Sequence, residues 1–490
     1  MKKPAGALLP PLCGPDADAG SKRAHLYRRV RSAILGGSLA PGTRLPSTRT
    51  LACDLGVSRT TAEDAFAQLV LEGFVERRVG DGTYVSSAVR APRGGPRAAP
   101  RGVTLSARGA SIAALSTHVD VIQVGPFRGG QPDTRAFPVR TWQRLISRRL
   151  ARRATRMLDY GDAQGYRPLR EAIAGYVASS RGVRCTADHV IVLSSSQQAL
   201  ELTARLILDP GDTVWMEDPG YPGALAALHC AGATVVPVPV DAAGLDVEAG
   251  RRAAPRARLA YVTPSHQYPL GATLSLQRRL ALLDWASRTG AVVVEDDYDS
   301  EYCYENRPIA AIQGLDDAGR VVYVGTFTKV LYPSVRLAYA IVPDGLVEPY
   351  VRARRLVDGH PPVLIQAVTA DFIEEGHFGA HLRSTRTLYG ERRAALVEAA
   401  RAELAGEGTL GPAGAGLHAV LHLERCRDVA VHRRALALGV DAPPLSALHH
   451  SPARASGLVL GDSALDISDI REGMRTLARA VASLGPPDRR

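Results

Sequence analysis

The sequence lacks three features that would point away from a soluble protein of the cytoplasm. No stretch approaches the ~20 apolar residues of a membrane span, so we expect no membrane partner. The six cysteines are scattered without a C-x-x-C pair, which argues against a metal site or a disulfide framework and favours a reducing cytoplasm. The first residues, MKKPAGALLPPLCGPD, hold an apolar run broken by prolines, so no signal peptide is expected.

Acidic residues are missing from residues 86–110, which carry five arginines, three prolines and four glycines. This composition predicts a linker over residues 87–119, between a front module at 20–86 and a rear module at 120–485. The linker has two readings, a solvated tether or a basic arm that touches phosphate. The net charge of +11 is compatible with a nucleic-acid partner.

The front module predicts a winged helix. Apolar residues recur at helical spacing over residues 25–35. Ser47 and Ser58 are suited to cap two short helices, and Gly56 to end the first of them, which is the helix-turn-helix pattern. The segments FVERRV and TYV then read as two strands that a Gly-Asp-Gly turn joins. The second short helix begins with Ser, Arg, Thr and Thr, which suit base edges and phosphates.

The whole run PGTRLPSTRTLACDLGVSRTTAEDAFAQLVLEGFVERRVGDGTYV resembles the GntR-type winged helix. The polar start of the second short helix and this resemblance together imply a double-stranded DNA operator as partner. The expected DNA-contacting residues are Arg44, Ser47, Arg49, Ser58, Arg59, Thr60, Thr61 and Gly82.

In the rear module, buried strands alternate with helices, which predicts an α/β fold with a mostly parallel sheet. Ligands of such sheets bind at the carboxyl ends of the strands. The polar residues expected at that edge are Ser195, Ser196, Gln197, Tyr221, His266, Gln267, Asp296, Tyr298, Lys329 and Arg336.

This set of side chains fits pyridoxal 5'-phosphate (PLP). Lys329 is placed to form a Schiff base with the cofactor aldehyde, and Asp296 to pair with the ring nitrogen. The Tyr298 hydroxyl, two residues after Asp296, is placed to bond the ring oxygen. The start of the helix after Ser195 is a phosphate site. Further phosphate ligands are Thr326, Thr328 and Arg336.

Residues 120–480 are similar to fold-type I, class I aminotransferases. The motifs that carry this similarity are YGDAQGYRPLREAIAGY, SSSQQALELTARLILDPGDTVWMEDPGYPG, TPSHQYPLG, EDDYDSEY and GTFTKVLYPSVRLAY. Joined to a GntR-type head, the chain is similar to the MocR subfamily of regulators. The resemblance implies a large part at about 165–345, a small C-terminal α+β part at about 346–485, and a head-to-tail homodimer.

The resemblance also implies roles for single residues. Tyr221 would stack on the cofactor ring, and Tyr160 would reach the phosphate from the other subunit. Aminotransferases grip the substrate carboxylate with an arginine of the small domain, for which Arg454 is the nearest candidate. The sequence departs from the family at Asp462, where an aromatic residue is usual.

Three functional hypotheses follow. In the first, the protein is a transcriptional regulator that senses PLP, or an amino-acid or amine effector, through aldimine formation at Lys329. In the second, it is a working aminotransferase with an accessory DNA-binding head. In the third, it is a PLP enzyme of another type, such as a lyase, because a fold does not settle function.

Overall fold

The computed structural model describes residues 21–89, 103–114, 125–305, 309–452 and 455–484. The chain divides between Thr104 and Leu105 into two compact units. Within the described ranges, no helix combines the length and the hydropathy that crossing a membrane requires.

The first unit consists of three helices and a two-stranded hairpin. Their bounds are α1 Lys22–Leu35, α2 Thr48–Asp54, α3 Arg59–Leu71, β1 Val75–Arg78 and β2 Gly82–Val85. Ser47 and Ser58 cap α2 and α3 as the sequence predicts, and each hydroxyl accepts a backbone N–H at 3.1 Å. Gly56 follows α2 in the left-handed region, at φ +62°, which glycine adopts without strain. The predicted winged helix is therefore confirmed.

The core of the first unit lies between α1, α3 and the hairpin. Its buried members include Val30, Leu51, Phe66 and Val85. The strands pair antiparallel, with Val75 opposite Val85. Arg78 lies over the ring of Tyr84, with its guanidinium carbon 4.3 Å from the ring centre, which stiffens the exposed hairpin.

The second unit contains twelve helices among the described residues. Their bounds are α4 Ala107–Ala114, α5 Val139–Leu158, α6 Arg167–Arg181, α7 Ser196–Ile207, α8 Pro222–Ala231, α9 Val247–Ala253, α10 Leu276–Thr289, α11 Asp344–Val357, α12 Val363–Glu374, α13 His377–Glu403, α14 Asp428–Ala437 and α15 Ile467–Ala482. Its large sheet contains β3 Val190–Leu193, β4 Thr213–Asp218, β5 Thr234–Asp241, β6 Gly244–Leu245, β7 Leu259–Val262, β8 Val292–Asp297, β9 Val321–Thr326 and β10 Ala338–Ile341. A small sheet contains β11 Gly408–Leu410, β12 His418–Leu423 and β13 Gly457–Gly461.

The large sheet has the order β3-β10-β9-β8-β7-β4-β5-β6. The neighbours from β5 through β4, β7 and β8 to β9 are parallel. Strand β10 is antiparallel to both β9 and β3, so β3 runs in the same direction as β9. The predicted α/β class with a mostly parallel sheet is confirmed, and the central strands are apolar because helices cover both faces.

The small sheet is antiparallel and packs against α13, α14 and α15. Its core includes Leu421, Leu458, Leu460 and Met474. Helices α11 and α12, which the sequence assigns to the small part, pack in the cores of the large sheet.

The predicted linker, residues 87–119, contains one described helix, α4. The Ser106 hydroxyl accepts a hydrogen bond from the Gly109 N–H at 3.0 Å, and Arg108 donates to the Cys230 carbonyl at the end of α8. Residues 90–102 and 115–119 of this segment lie outside the described residues.

Strand β9 leads to Lys329 and leaves no room for a side chain at Gly325. A Cβ there would lie 2.3 Å from the ring of Tyr339. We therefore expect Gly325→Ala to lower the free energy of unfolding by about 3 kcal/mol, because added volume in a packed core forces strain. Urea unfolding of the whole chain measures the loss.

Gly175→Ala is the matched control, since Gly175 is exposed within α6 and its Cβ would meet no atom within 4 Å. We expect this control to raise the free energy of unfolding by up to about 1 kcal/mol, because alanine favours a helix. Equal stability of the two variants would contradict the packing that we describe at β9.

Candidate functional site

Five parallel strands bring polar residues to one edge of the large sheet. Strands β3, β4, β7, β8 and β9 end there, and the predicted site residues follow those ends. Arg336 instead precedes β10, which is antiparallel, so the beginning of β10 lies at the same edge. The topology therefore gathers Lys329 and Arg336 with residues from the other strands.

Lys329 lies three residues after β9 and is half-buried. Its Nζ donates a hydrogen bond to the Gly130 carbonyl at 2.5 Å. Gly130 has φ +72°, and a Cβ there would lie 3.3 Å from Nζ, so glycine allows this close approach. Burial lowers the pKa of Lys329, although Asp299 and Asp296 act in the opposite direction. A lower pKa favours the neutral amine, which is the nucleophilic form.

Asp296 is buried near the end of β8. Its Oδ2 accepts a hydrogen bond from the Tyr261 hydroxyl at 2.9 Å, whereas its Oδ1 is buried without a hydrogen-bond partner among the described residues. Burial raises the pKa of Asp296 to about 7, against the lowering effect of Tyr261 and Lys329. A buried oxygen without a partner is costly, so this atom is a ready acceptor for an N–H or a cation.

Tyr298, His266 and Asp299 form a buried hydrogen-bond network next to Asp296. The Tyr298 hydroxyl donates to the His266 carbonyl at 3.0 Å, and its oxygen also lies 3.0 Å from His266 Nδ1. The same Nδ1 lies 3.1 Å from Asp299 Oδ2.

Gln267 holds the turn that follows β7. Its amide donates to Glu217 at 3.2 Å, to the Pro219 carbonyl at 2.9 Å and to the Tyr268 carbonyl at 2.6 Å. Its Oε1 accepts from the Leu270 N–H at 3.1 Å. These contacts occupy the whole amide within the protein, so Gln267 supports the site rather than offering a free group.

Tyr221 stands at the beginning of α8 and is half-buried. Its ring meets Tyr268 edge to face, with the ring centres 5.7 Å apart. Gln197 reaches the same turn, because its amide donates to the Gly223 carbonyl at 2.9 Å. An aromatic ring and the beginning of α7 thus lie side by side.

The residues predicted to hold phosphate lie at helix and strand ends. Ser195 caps α7 by accepting from the Gln198 N–H at 3.2 Å, and Ser196 begins that helix. The Thr326 hydroxyl accepts from the Thr328 N–H at 3.1 Å. Arg336 is exposed and has no partner within the described part of the chain. A helix N-terminus and an unpaired guanidinium together suit a dianion.

One predicted residue, Tyr160, is not brought to this edge. Tyr160 is 95% exposed, and its ring packs against His360 at 6.2 Å between ring centres. Arg454 lies outside the described residues. Asp462 pairs with Arg393 through two hydrogen bonds of 2.6 and 2.9 Å inside the protein, so this departure from the family sequence is explained by a buried ion pair.

In the first unit, the predicted DNA-contacting residues lie on α2, α3 and the hairpin or just before these helices, and most are exposed. The hydroxyls of Ser47 and Ser58 cap helices, whereas Arg49 and Thr60 are exposed without such a role. Arg59 forms a 2.8 Å ion pair with Glu63. The exposed Arg44 lies over Gly82, where a Cβ would approach its Nε to 3.0 Å. Thr61 is half-buried beside Ser58, with 2.7 Å between the hydroxyl oxygens.

Comparison with known proteins matches both units to families. The model for bacterial regulatory proteins of the gntR family matches residues 22–85, and that for aminotransferase class I and II matches residues 129–436. The probable rhizopine catabolism regulatory protein MocR of Rhizobium meliloti is 42% identical over 96% of this chain and 95% of its own. The chain belongs to the MocR-like regulators of the gntR family. It is a DNA-binding transcriptional regulator with an aminotransferase-like second unit.

Two further relatives of this MocR-like regulator are similar to nearly the whole chain and to a large part of it, respectively. The regulator TauR of Rhodobacter capsulatus is 33% identical over 94% of this chain and 97% of its own. The solved structure of LysN, an alpha-aminoadipate aminotransferase of Thermus thermophilus in complex with N-(5'-phosphopyridoxyl)-L-leucine, has a TM-score of 0.69 and 30% identity. That comparison covers 74% of this chain and 93% of LysN.

Four residues of the MocR-like site have contacts that sequence patterns do not predict. Tyr261, Asp299 and Glu217 supply partners to Asp296, His266 and Gln267, and Gly130 supplies the acceptor for Lys329. Tyr261 could have been found from the sequence, because it lies in a strand that is otherwise apolar and a buried tyrosine hydroxyl needs a hydrogen-bond partner.

Because the pKa of Asp296 is raised, we expect the free energy of unfolding of the cofactor-free protein to depend on pH. Between about pH 4 and pH 7 the unfolded chain ionises this carboxyl while the folded state keeps it protonated, so stability falls as the pH rises. Asp296→Asn removes that loss. We expect its free energy of unfolding, relative to the original protein, to increase across this range in urea titrations.

Asp297→Asn is the adjacent control, because Asp297 is satisfied by Arg181 at 2.8 Å and by the Tyr323 hydroxyl at 2.5 Å. We expect this control to destabilise the protein by about 3–5 kcal/mol at neutral pH, because it leaves a buried arginine unpaired. A pH-independent difference for Asp296→Asn would contradict the proposed state of that carboxyl.

Proposed function

We propose that this MocR-like regulator binds PLP at the common edge of the large sheet and senses an amino compound through Lys329. One observation carries the proposal: Lys329 lies near Asp296, whose Oδ1 is buried without a partner among the described residues. The four lysines of the chain are Lys2, Lys3, Lys22 and Lys329. Lys329 is therefore the one lysine of the second unit that a cofactor aldehyde can use.

The residues of the edge fit PLP by their chemistry. Asp296 Oδ1 offers an acceptor for a protonated ring nitrogen, which would satisfy the orphaned oxygen. The Tyr298 hydroxyl, which donates to the His266 carbonyl in the cofactor-free protein, would turn its proton to the ring oxygen, and the Tyr221 ring would offer a stacking surface. When bound, PLP supplies an electron sink for bonds at the amino-bearing carbon.

The phosphate would be held at the beginning of α7 and by cationic and hydroxyl groups near β9 and β10. Arg336, which has no partner among the described residues, would supply the positive charge, because the planar guanidinium fork matches two phosphate oxygens. The remaining phosphate ligands that we propose are Ser195, Ser196, Gln197, Thr326 and Thr328.

The exposed apolar residues near Tyr160 support the proposal of a homodimer. Leu158 is 78% exposed at the end of α5, and Leu356 is 88% exposed near the end of α11, four residues before His360. Large exposed apolar side chains that occur close together are typical of an interface. A second copy that covers them would take Tyr160 out of water and add it to the neighbouring site.

Sensing requires that the amino compound bind one arrangement of the protein more tightly than another, since only differential affinity shifts an equilibrium. The compound would occupy Lys329, and the DNA-binding unit would report the change. Amino-group transfer is a second candidate function, because a 2-aminoadipate transaminase of Thermus thermophilus is 32% identical over 73% of this chain. Recovery of the cofactor absorption by an added keto acid after exposure to an amine would favour transfer.

Lys329→Ala is expected to abolish the visible absorption band of the protein incubated with PLP, because no other lysine lies in the second unit. Operator affinity without an effector should persist, since the winged helix has its own core. Absorption spectra and a DNA-binding titration measure the two properties. Lys22→Ala is the control and should keep the band. A full band in Lys329→Ala would contradict the role of Lys329.

Arg59→Ala is expected to weaken operator binding by about 1–3 kcal/mol without changing the uptake of PLP, because Arg59 begins the recognition helix α3. Fluorescence anisotropy at fixed salt measures the affinity, since salt alone changes such affinities strongly. Arg433→Ala removes the same charge from an exposed site in the second unit and is the control. If both variants bind the operator equally well, Arg59 is not part of the recognition surface.

A further inference from the structure

His266 makes hydrogen bonds that determine where its imidazole carries a proton. The Tyr298 hydroxyl donates its own proton to the His266 carbonyl at 3.0 Å. Its oxygen can therefore only accept from His266 Nδ1, which lies 3.0 Å away. Asp299 Oδ2, at 3.1 Å from the same Nδ1, is also an acceptor. Both neighbours require the proton on Nδ1, so the tautomer follows from the contacts.

Asp299 is held in place from a second side. Its Oδ2 also accepts from the Leu417 N–H at 3.1 Å, just before β12. Although burial opposes ionisation, His266 and His418 keep the pKa of Asp299 below its ordinary value. A carboxylate at this point fixes the orientation of the imidazole in the same way that a catalytic aspartate orients its histidine.

The network is enclosed by groups from several elements. His418, at the start of β12, has its ring 5.0 Å from that of His266, and its Nε2–H donates to the Pro269 carbonyl at 3.1 Å. Burial lowers the pKa of His418 to about 3, so it stays neutral. The other titratable or charged groups that act on this network are Tyr268, Glu217, Asp296, Lys329 and Arg393.

We infer that His266, oriented by Asp299, is a positioning residue that holds the Tyr298 oxygen through its Nδ1–H, while the single Tyr298 proton turns from the His266 carbonyl to the cofactor ring oxygen, and that strengthens Tyr298 as a hydrogen-bond donor. The inference rests on the proposed function, in which Tyr298 bonds the cofactor ring oxygen. An N–H donated to the phenol oxygen polarises its O–H, because hydrogen bonds in a chain reinforce one another. His266 thus acts through Tyr298, and its imidazole need not touch the cofactor.

The decisive experiment compares His266→Leu and His266→Asn, each alone and combined with Tyr298→Phe, in the PLP-loaded full-length protein. Asparagine keeps an N–H donor near the position of Nδ1, whereas leucine removes it. The readout is the pH midpoint of the visible absorption band. A weaker Tyr298 donor leaves more negative charge on the ring oxygen, which holds a proton on the Lys329 nitrogen to higher pH.

We expect His266→Leu to raise the midpoint by on the order of 0.5–1 pH unit and His266→Asn to stay near the original value. In the Tyr298→Phe background, both substitutions should leave the midpoint unchanged, because their effect requires the phenol oxygen. An equal shift with and without the Tyr298 hydroxyl would overturn the inference, since His266 would then act through charge or structure alone.

A second readout needs no cofactor. In the ¹⁵N-histidine NMR spectrum of the cofactor-free protein, we expect the signal of an Nδ1-protonated imidazole, besides those of His360 and His432, that disappears in His266→Leu and moves in Tyr298→Phe. If Tyr298→Phe leaves that signal unchanged, the contact is absent and the inference fails. If the original protein shows no visible band with PLP, the proposed function fails, while the NMR signal still decides whether the network exists.

Discussion

The ligand-binding edge proposed for the second unit depends on one buried carboxyl group, that of Asp296. Only one of its two oxygens has a hydrogen-bond partner among the described residues. Asp296 and Asp297 are neighbours on β8, yet Asp297 is paired with Arg181 and Tyr323, while within the described ranges Asp296 has Tyr261 alone. A buried oxygen without a partner costs free energy, so the fold keeps it only where surrounding structure holds it in place. The same cost makes the edge of the sheet receptive to a ligand that brings an N–H or a positive charge.

Much of this organisation could be predicted from local patterns. Ser47, Gly56 and Ser58 define the helix-turn-helix because caps and turns depend on a few adjacent residues. The sheet edge follows from strands that end in polar residues. Contacts between distant residues could not be predicted: Lys329 meets a carbonyl 199 residues earlier in the chain, and this depends on the packing of a loop rather than on any repeat. Helix α4 within the predicted linker was missed because its few apolar residues follow an arginine- and proline-rich stretch.

The two units present different polar groups, which suit different kinds of ligand. The first exposes Arg49, Arg59 and Thr60 on short capped helices, which suits contacts with phosphates and base edges. Apart from the exposed Arg336, the second keeps the polar groups at the edge of its large sheet buried or half-buried, which suits a small ligand that must be distinguished by hydrogen bonds. The buried Arg393–Asp462 pair shows that charge in the small sheet region serves structure.

The most direct test of the account is reductive trapping. The protein is incubated with PLP, treated with borohydride and digested, and the peptides are mapped by mass spectrometry. The account predicts that the phosphopyridoxyl group is found on the peptide containing Lys329 and that prior exposure to a responsive amino compound reduces this labelling. Labelling confined to Lys2, Lys3 or Lys22, or none in the second unit, would contradict the central claim that Lys329 is the sensing residue.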